Sequence, residues 1–226
     1  MQDVIEQAAE RILKTPLRIA AAGRTDAGVH ALGQTFHADV PDTCRMNADA
    51  WVAALNAHLP ASIRIMEARE APAGFHARFS AVGKIYEYRI WRGAVLPPHM
   101  AGRAWHRPHH VELQSLRAAL HLYEGEHDFR RLSARRGNEP QPAPSDYYHR
   151  TIYSATLSEQ GQELLLRFHG DGFMYRMVRM LVGTAYRVAS GRMTLQELRD
   201  FLLEAEGETT RFCAPAEGLY LLRVEY

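Results

Sequence analysis

Cysteine and lysine are the scarce residues of this 226-residue chain: there are two of each, Cys44 and Cys213, Lys14 and Lys84. The cysteines lie far apart and form no Cys-x-x-Cys, which argues for a reducing compartment and against a structural zinc site. Long apolar runs are missing too. None approaches the roughly 18 residues of a membrane span, so no membrane partner is expected. Nor does either sign of charge dominate, with 27 Lys+Arg against 26 Asp+Glu and a net charge of +1. Composition therefore gives no hint of nucleic acid, and any such contact must come from local clusters of cations. The start, Met1-Gln2-Asp3-Val4-Ile5-Glu6, is acidic and helix-like rather than basic-then-apolar, so no signal peptide is expected and the cytoplasm is the default.

What is present is ordinary for a soluble globular protein: 46% hydrophobic and 23% charged residues, in a chain long enough for one large domain or two small ones. The cations are nearly all arginine, a bias that a GC-rich genome explains better than function does. Arg130, Arg131, Arg135 and Arg136 form one local basic segment, readable equally as an RNA contact or as a solvated loop.

Hydrophobic periodicity sets the order of elements. Residues 2–13 read as an amphipathic helix stopped before Pro16. Leu17–Ala22 and Ala31–Asp39 read as strands on either side of a glycine-bearing loop. Asn47 caps a helix to about His58, and Ile63–Ala68 reads as a strand. In the second part Lys84–Trp91 is a strand and Val111–Tyr123 a helix. Arg150–Leu157 and Glu163–His169 make a hairpin around Gly161. A helix from about Phe173 to Ala189 ends at Gly191, Thr194 and Glu197 form a capping box, and Leu219–Tyr226 is a closing strand. The second part is thus βαββαβ with one extra helix, the split-βαβ or ferredoxin-like order. The first part repeats it without its opening strand, a strand that is usually central in this topology. The expected fold is α+β: two fused ferredoxin-like halves with mainly antiparallel sheets, residues 1–76 and 77–226. The proline-rich segment Gly137–Ser145 is the clearest flexible loop.

The loop between the first two strands reads Gly23-Arg24-Thr25-Asp26-Ala27-Gly28-Val29-His30. Its glycines allow a tight turn, and an arbitrary Thr-Asp-Ala-Gly is ordinarily an Asx-turn on a surface. This run, however, resembles the signature of the TruA family of tRNA pseudouridine synthases. Further resemblances follow in order along the chain: Asn56-Ala57-His58-Leu59-Pro60, Phe75-His76-Ala77-Arg78-Phe79-Ser80, Lys84-Ile85-Tyr86-Glu87-Tyr88, Gly172-Phe173-Met174-Tyr175-Arg176-Met177-Val178-Arg179, and Ala214-Pro215-Ala216-Glu217-Gly218-Leu219-Tyr220-Leu221. Six motifs in order, covering essentially the whole chain, are far more specific than any one of them.

The resemblance implies a catalytic nucleophile at Asp26 and a substrate-binding set of Tyr86, Arg179, Arg24 and Arg78. Pseudouridylation breaks the C1′–N1 bond of uridine, turns the uracil and rejoins it through C5. It needs an anion at the glycosidic carbon or the uracil ring, and a carboxylate suits either role. Burial penalises that charge and a neighbouring cation offsets the penalty, which is the part expected of Arg179. Left to itself, Arg179 would read as a solvent-facing helix arginine. Tyr86 shares a strand face with Lys84 and Tyr88; it reads either as half of a cross-strand aromatic pair or, by the resemblance, as the ring that stacks on the target uracil once it leaves its helix. Arg24 is expected to meet RNA phosphate or to help hold the flipped nucleotide. His30 is expected to brace the loop, and Met174, Met177 and Met180 to fill core.

The reaction is redox-neutral and consumes no donor, so no cofactor is expected. No Walker A loop or His-Glu-x-x-His is present, and Gly170-Asp171-Gly172 is too short a signal for a nucleotide site. His106, His109 and His110 lack the acidic or cysteine partners of a metal set. By the same resemblance the partners are tRNA, contacted at positions 38–40 of the anticodon stem-loop, and a second copy of the chain in a homodimer.

One departure stands out. The family begins with a strand and a Tyr-Asp-Gly…Gly-Trp-Gln segment ahead of the first helix, and here Met1 falls almost at that helix. Either Met1 is internal to a longer natural chain, the preferred reading, or the protein is a variant with a weakened first half. The second case keeps a rival function open, a catalytically impaired RNA-binding module of the same fold. An aspartate-dependent hydrolase or phosphotransferase would need a metal-binding carboxylate cluster that the sequence does not offer.

Overall fold

The computed structural model describes residues 1–137, 139–140, 142–204 and 207–226. The chain runs α1 (Gln2–Leu13), β1 (Ala20–Ala21), β2 (His30–Ala31), β3 (Phe36–His37), α2 (Ala48–His58), β4 (Gly83–Trp91) and β5 (Trp105–His106). It continues α3 (Leu113–His121), β6 (Gly125–Asp128), β7 (His149–Gln160), β8 (Glu163–Gly170), α4 (Met177–Ala189), α5 (Leu195–Leu203) and β9 (Leu219–Glu225). It separates into two compact units, one of residues 1–24 with 34–81 and one of residues 25–33 with 82–226.

In the first unit the apolar stripe of α1 (Ile5, Ala8, Ala9) packs with Leu17, Ile19, Leu55 and Leu59 in a small core. Asn47 caps α2 by accepting from the Ala50 N–H at 2.9 Å, as its place before an apolar run predicts. β1 and β3 form a two-stranded antiparallel ladder, much shorter than the strands expected over Leu17–Ala22 and Ala31–Asp39. The second of those segments is broken: His30–Ala31 pairs in parallel with β9 instead. The expected strand at Ile63–Ala68 does not form. There the Asn56 side chain takes the place of a strand partner, accepting from the Ile65 N–H at 2.8 Å and donating to the Ile65 carbonyl at 2.7 Å. Glu6 is buried on α1 and accepts from Gln2, Arg18 and the Ile19 N–H.

The second unit is built on a mostly antiparallel sheet of order β2-β9-β4-β8-β7-β6, with β5 beside β4. β4 lies between β8 and β9, so a long central strand has partners on both edges. One face of this sheet meets α3 and α4 in a core that includes Tyr88, Ile90, Leu116, Phe168, Met177 and Leu181. On β4 the alternate position carries Glu87, only 4% exposed, which accepts from Arg89 at 3.2 Å and Arg167 at 2.9 Å. The hairpin turns at Gly161 with φ 58, a left-handed conformation suited to glycine. The Thr194–Glu197 capping box is present. Three points differ from expectation, the first being the short strand β5 at Trp105–His106, which pairs in parallel with β4. α4 begins at Met177, not Phe173, because Arg176 is left-handed at φ 57 and cannot continue a helix. β6 is an additional strand, polar in sequence and therefore without an apolar signal. Of the proline-rich segment Gly137–Ser145, Asn138 and Gln141 lie outside the described residues.

Candidate active site

Asp26 sits in the 25–33 segment, within the second unit. The turn that presents it closes with the Val29 N–H donating to the Asp26 carbonyl at 3.1 Å. Gly28 follows at φ 83, where an added Cβ would stand 3.3 Å from the Ala216 Cβ; both the backbone and the neighbouring loop therefore favour glycine. His30 bonds the Gly102 carbonyl at 2.8 Å through Nε2 and stacks on Tyr220 at 4.6 Å, the contacts of a brace.

The Asp26 carboxylate meets Arg179, on the first turn of α4, which donates to Oδ2 at 2.7 Å. Both side chains are largely shielded, 14% exposed for Arg179 and 18% for Asp26. Arg179 is itself held in place. Its Nε donates to the Ala214 carbonyl at 2.8 Å, and its own carbonyl accepts from the Ala214 N–H at 3.0 Å. A charged donor fixed at both ends suits a charge-assisted bond of defined geometry. The backbone approach that permits this is close: a Cβ on Gly183 of α4 would stand 2.2 Å from the Phe212 carbonyl oxygen.

Tyr86 lies on β4 directly after a register shift against β9 between Ile85 and Tyr86, the kind of irregularity that re-aims a side chain beside a site. Its ring packs edge-on against Phe173 at 5.2 Å. Burial, and secondarily the Asp26 carboxylate, push its hydroxyl up to about 12. Tyr88 is packing, fully buried with its hydroxyl donating to the Pro215 carbonyl at 2.8 Å. The same loop supplies Cys213, whose thiol is pushed up by burial against the pull of Arg179 and Arg176.

The structure thus brings Asp26, Arg179 and Tyr86 together. It places Arg24 and Arg78 as exposed residues of the first unit, with the Arg78 guanidinium 5.7 Å from the Phe79 ring centre. The basic segment divides. Arg130 pairs with Asp128 at 3.4 Å, and Arg131 pairs with Glu204 at 3.1 Å and bonds the Asp200 and Glu208 carbonyls. Arg135 and Arg136 are exposed. Sequence reasoning missed Arg176, whose Nε lies 3.9 Å from the Asp26 carboxylate. Helical periodicity carries no sign of the left-handed turn at residue 176. His106 bonds the Gly93 carbonyl at 2.9 Å, and among the described residues no group of three His, Cys, Asp or Glu side chains could hold a metal ion.

Comparison with known proteins gives this arrangement a family. A family model described as tRNA pseudouridine synthase matches residues 1–80 and 119–226. The tRNA pseudouridine synthase A of Akkermansia muciniphila is 49% identical over 227 aligned residues, spanning 100% of this chain and 86% of that protein. Proteins of the same name from Geobacillus kaustophilus and Methylacidiphilum infernorum are 40% and 37% identical, each across 100% of this chain and 85% and 86% of their own lengths.

Proposed function

The chain belongs to the tRNA pseudouridine synthase family, and we propose that it is an isomerase converting uridine to pseudouridine at positions 38–40 of the tRNA anticodon stem-loop, with Asp26 as nucleophile. The observation that carries this reading is the shielded carboxylate of Asp26, paired with Arg179 at 2.7 Å. The reaction balances within the substrate. The C1′–N1 bond breaks, the uracil turns, a C5–C1′ bond forms, C5 gives up its proton and N1 gains one. Asp26 supplies the electron pair, at the ribose carbon or at the ring, and Arg179 offsets the cost of shielding its charge from water.

Tyr86 supplies the flat surface on which a flipped uracil rests. With its hydroxyl raised to about 12, it meets the base as a neutral ring at physiological pH. Arg24 and Arg78 are read as phosphate contacts, a role that suits exposed cations. Two copies of the chain are taken to act together on one tRNA in the cytoplasm, and each chain is read as two fused ferredoxin-like halves. The order β9-β4-β8-β7 supports that reading for the second half.

The test is to incubate the protein with unmodified tRNA and map pseudouridine by carbodiimide-blocked primer extension. Stops at positions 38–40 with the wild type, and none with Asp26→Ala, are expected. Tight tRNA binding with no product from either protein would instead make this an RNA-binding module.

A further inference from the structure

We propose that Arg136 and Arg176, gathered on the ring of Tyr175, form a phosphate clamp beside Asp26 that takes a phosphodiester flanking the target uridine. The inference rests on the reading of the site as a pseudouridine synthase. The guanidinium of Arg136 lies 4.6 Å from the Tyr175 ring centre and that of Arg176 lies 4.9 Å from it. Two like charges held on one aromatic ring repel each other. The ring offsets part of that repulsion, and stacking leaves the in-plane N–H groups directed outward for a bidentate anion.

Neither arginine is there by accident of a flexible chain. The Ala134 N–H donates to the Tyr175 carbonyl at 2.9 Å, tying the segment before Arg136 to the residue it stacks on. The N–H groups of Arg136 and Gly137 then donate to Glu139 at 2.5 and 2.9 Å, so the acid of that turn is engaged by backbone. Arg176 occupies the left-handed region at φ 57, a conformation that disfavours a side chain and suits glycine. A residue kept there at a cost points to a use for its side chain. That side chain is 46% exposed and stands at 3.9 Å from Asp26, whereas Arg179 makes the close bond. Arg179 already gives Nε to the Ala214 carbonyl and one terminal nitrogen to Asp26; Arg176, more exposed, has donors to spare next to the nucleophile. The uridine that reaches Asp26 carries a phosphodiester on each side of its ribose, the anion that such a pair recognises.

The experiment measures binding of an unmodified tRNA transcript across a series of KCl concentrations, with turnover assayed in parallel, for Arg136→Gln, Arg176→Gln, Arg176→Gly and the wild type. Each glutamine variant is expected to bind more weakly and to flatten the dependence of log K on log salt by about one. Arg176→Gly is expected to bind as weakly as Arg176→Gln while melting no lower than the wild type, since glycine accepts the left-handed backbone. Wild-type salt dependence in both glutamine variants would overturn the clamp, as would loss of turnover in Arg176→Gln with the slope intact, the mark of a residue that only braces Asp26. If the wild type forms no pseudouridine but the slopes still flatten, the reading of the reaction fails while the arginines stand as a phosphate site.

Discussion

At the scale of single residues, one cation is divided between two acceptors. Arg179 gives Nη1 to Asp26 and Nε to the Ala214 carbonyl; a lysine can carry the charge but cannot span both. Arg179→Lys is therefore expected to fold and to lose at least about tenfold in kcat/KM, or ~1.4 kcal/mol, measured by single-turnover assay. Glu6 shows the same dependence on partners in a structural setting. Hydrogen bonds from the Gln2 side chain and the Ile19 N–H, with Arg18 beside it, hold its carboxyl below the usual carboxylate range. A value depressed on folding contributes stability that is present above the unfolded value of about 4.3 and fades as pH falls through the folded one. Glu6→Gln should accordingly lower the melting temperature more at pH 7 than in acid, as thermal denaturation followed from pH 7 downward will show. Asp26, Tyr86 and Arg179 were legible in the sequence because each lies in a motif. Arg176 lies in one too, but its contact with Asp26 depends on a backbone twist that no periodicity encodes.

At the scale of elements, what could be read was whatever announces itself locally. The stripe of α1, the Asn47 cap, the turn at Gly161 and the Thr194 box are short-range signals, and the structure keeps all of them. Ile63–Ala68 has the composition of a strand but finds the Asn56 amide before it finds a sheet. The segment after the Asp26 loop is split because His30–Ala31 has a partner 190 residues downstream at Tyr220–Leu221. The packing of α4 yields a test in which two principles predict opposite signs. Helix propensity alone says Gly183→Ala should stabilise by up to ~1 kcal/mol. The Phe212 carbonyl, 2.2 Å from the new Cβ, says the chain there must move. Chemical denaturation is expected to show a loss of roughly 1–3 kcal/mol, the usual cost of overpacking, with a fall in kcat because Ala214 is displaced along with Phe212.

At the scale of the whole molecule, the chain joins a nearly neutral balance of charge to a substrate that is a polyanion. A net charge of +1 gives no long-range bias, so affinity has to come from where the arginines stand; Arg130 and Arg131 are taken up within the fold, while Arg136 and Arg176 face outward. The second unit draws the 25–33 segment into itself, so Asp26, Arg179 and Tyr86 all belong to one compact body. That long-range arrangement is the part no reading of local pattern could supply. The central claim is that the Asp26 carboxylate performs the isomerisation, and it is tested most directly with tRNA tritiated at C5 of uridine. The wild type should release tritium in step with pseudouridine formed, and Asp26→Asn, which keeps the shape of the side chain without its charge, should bind the tRNA and release none. Release by Asp26→Asn at the wild-type rate would contradict the account.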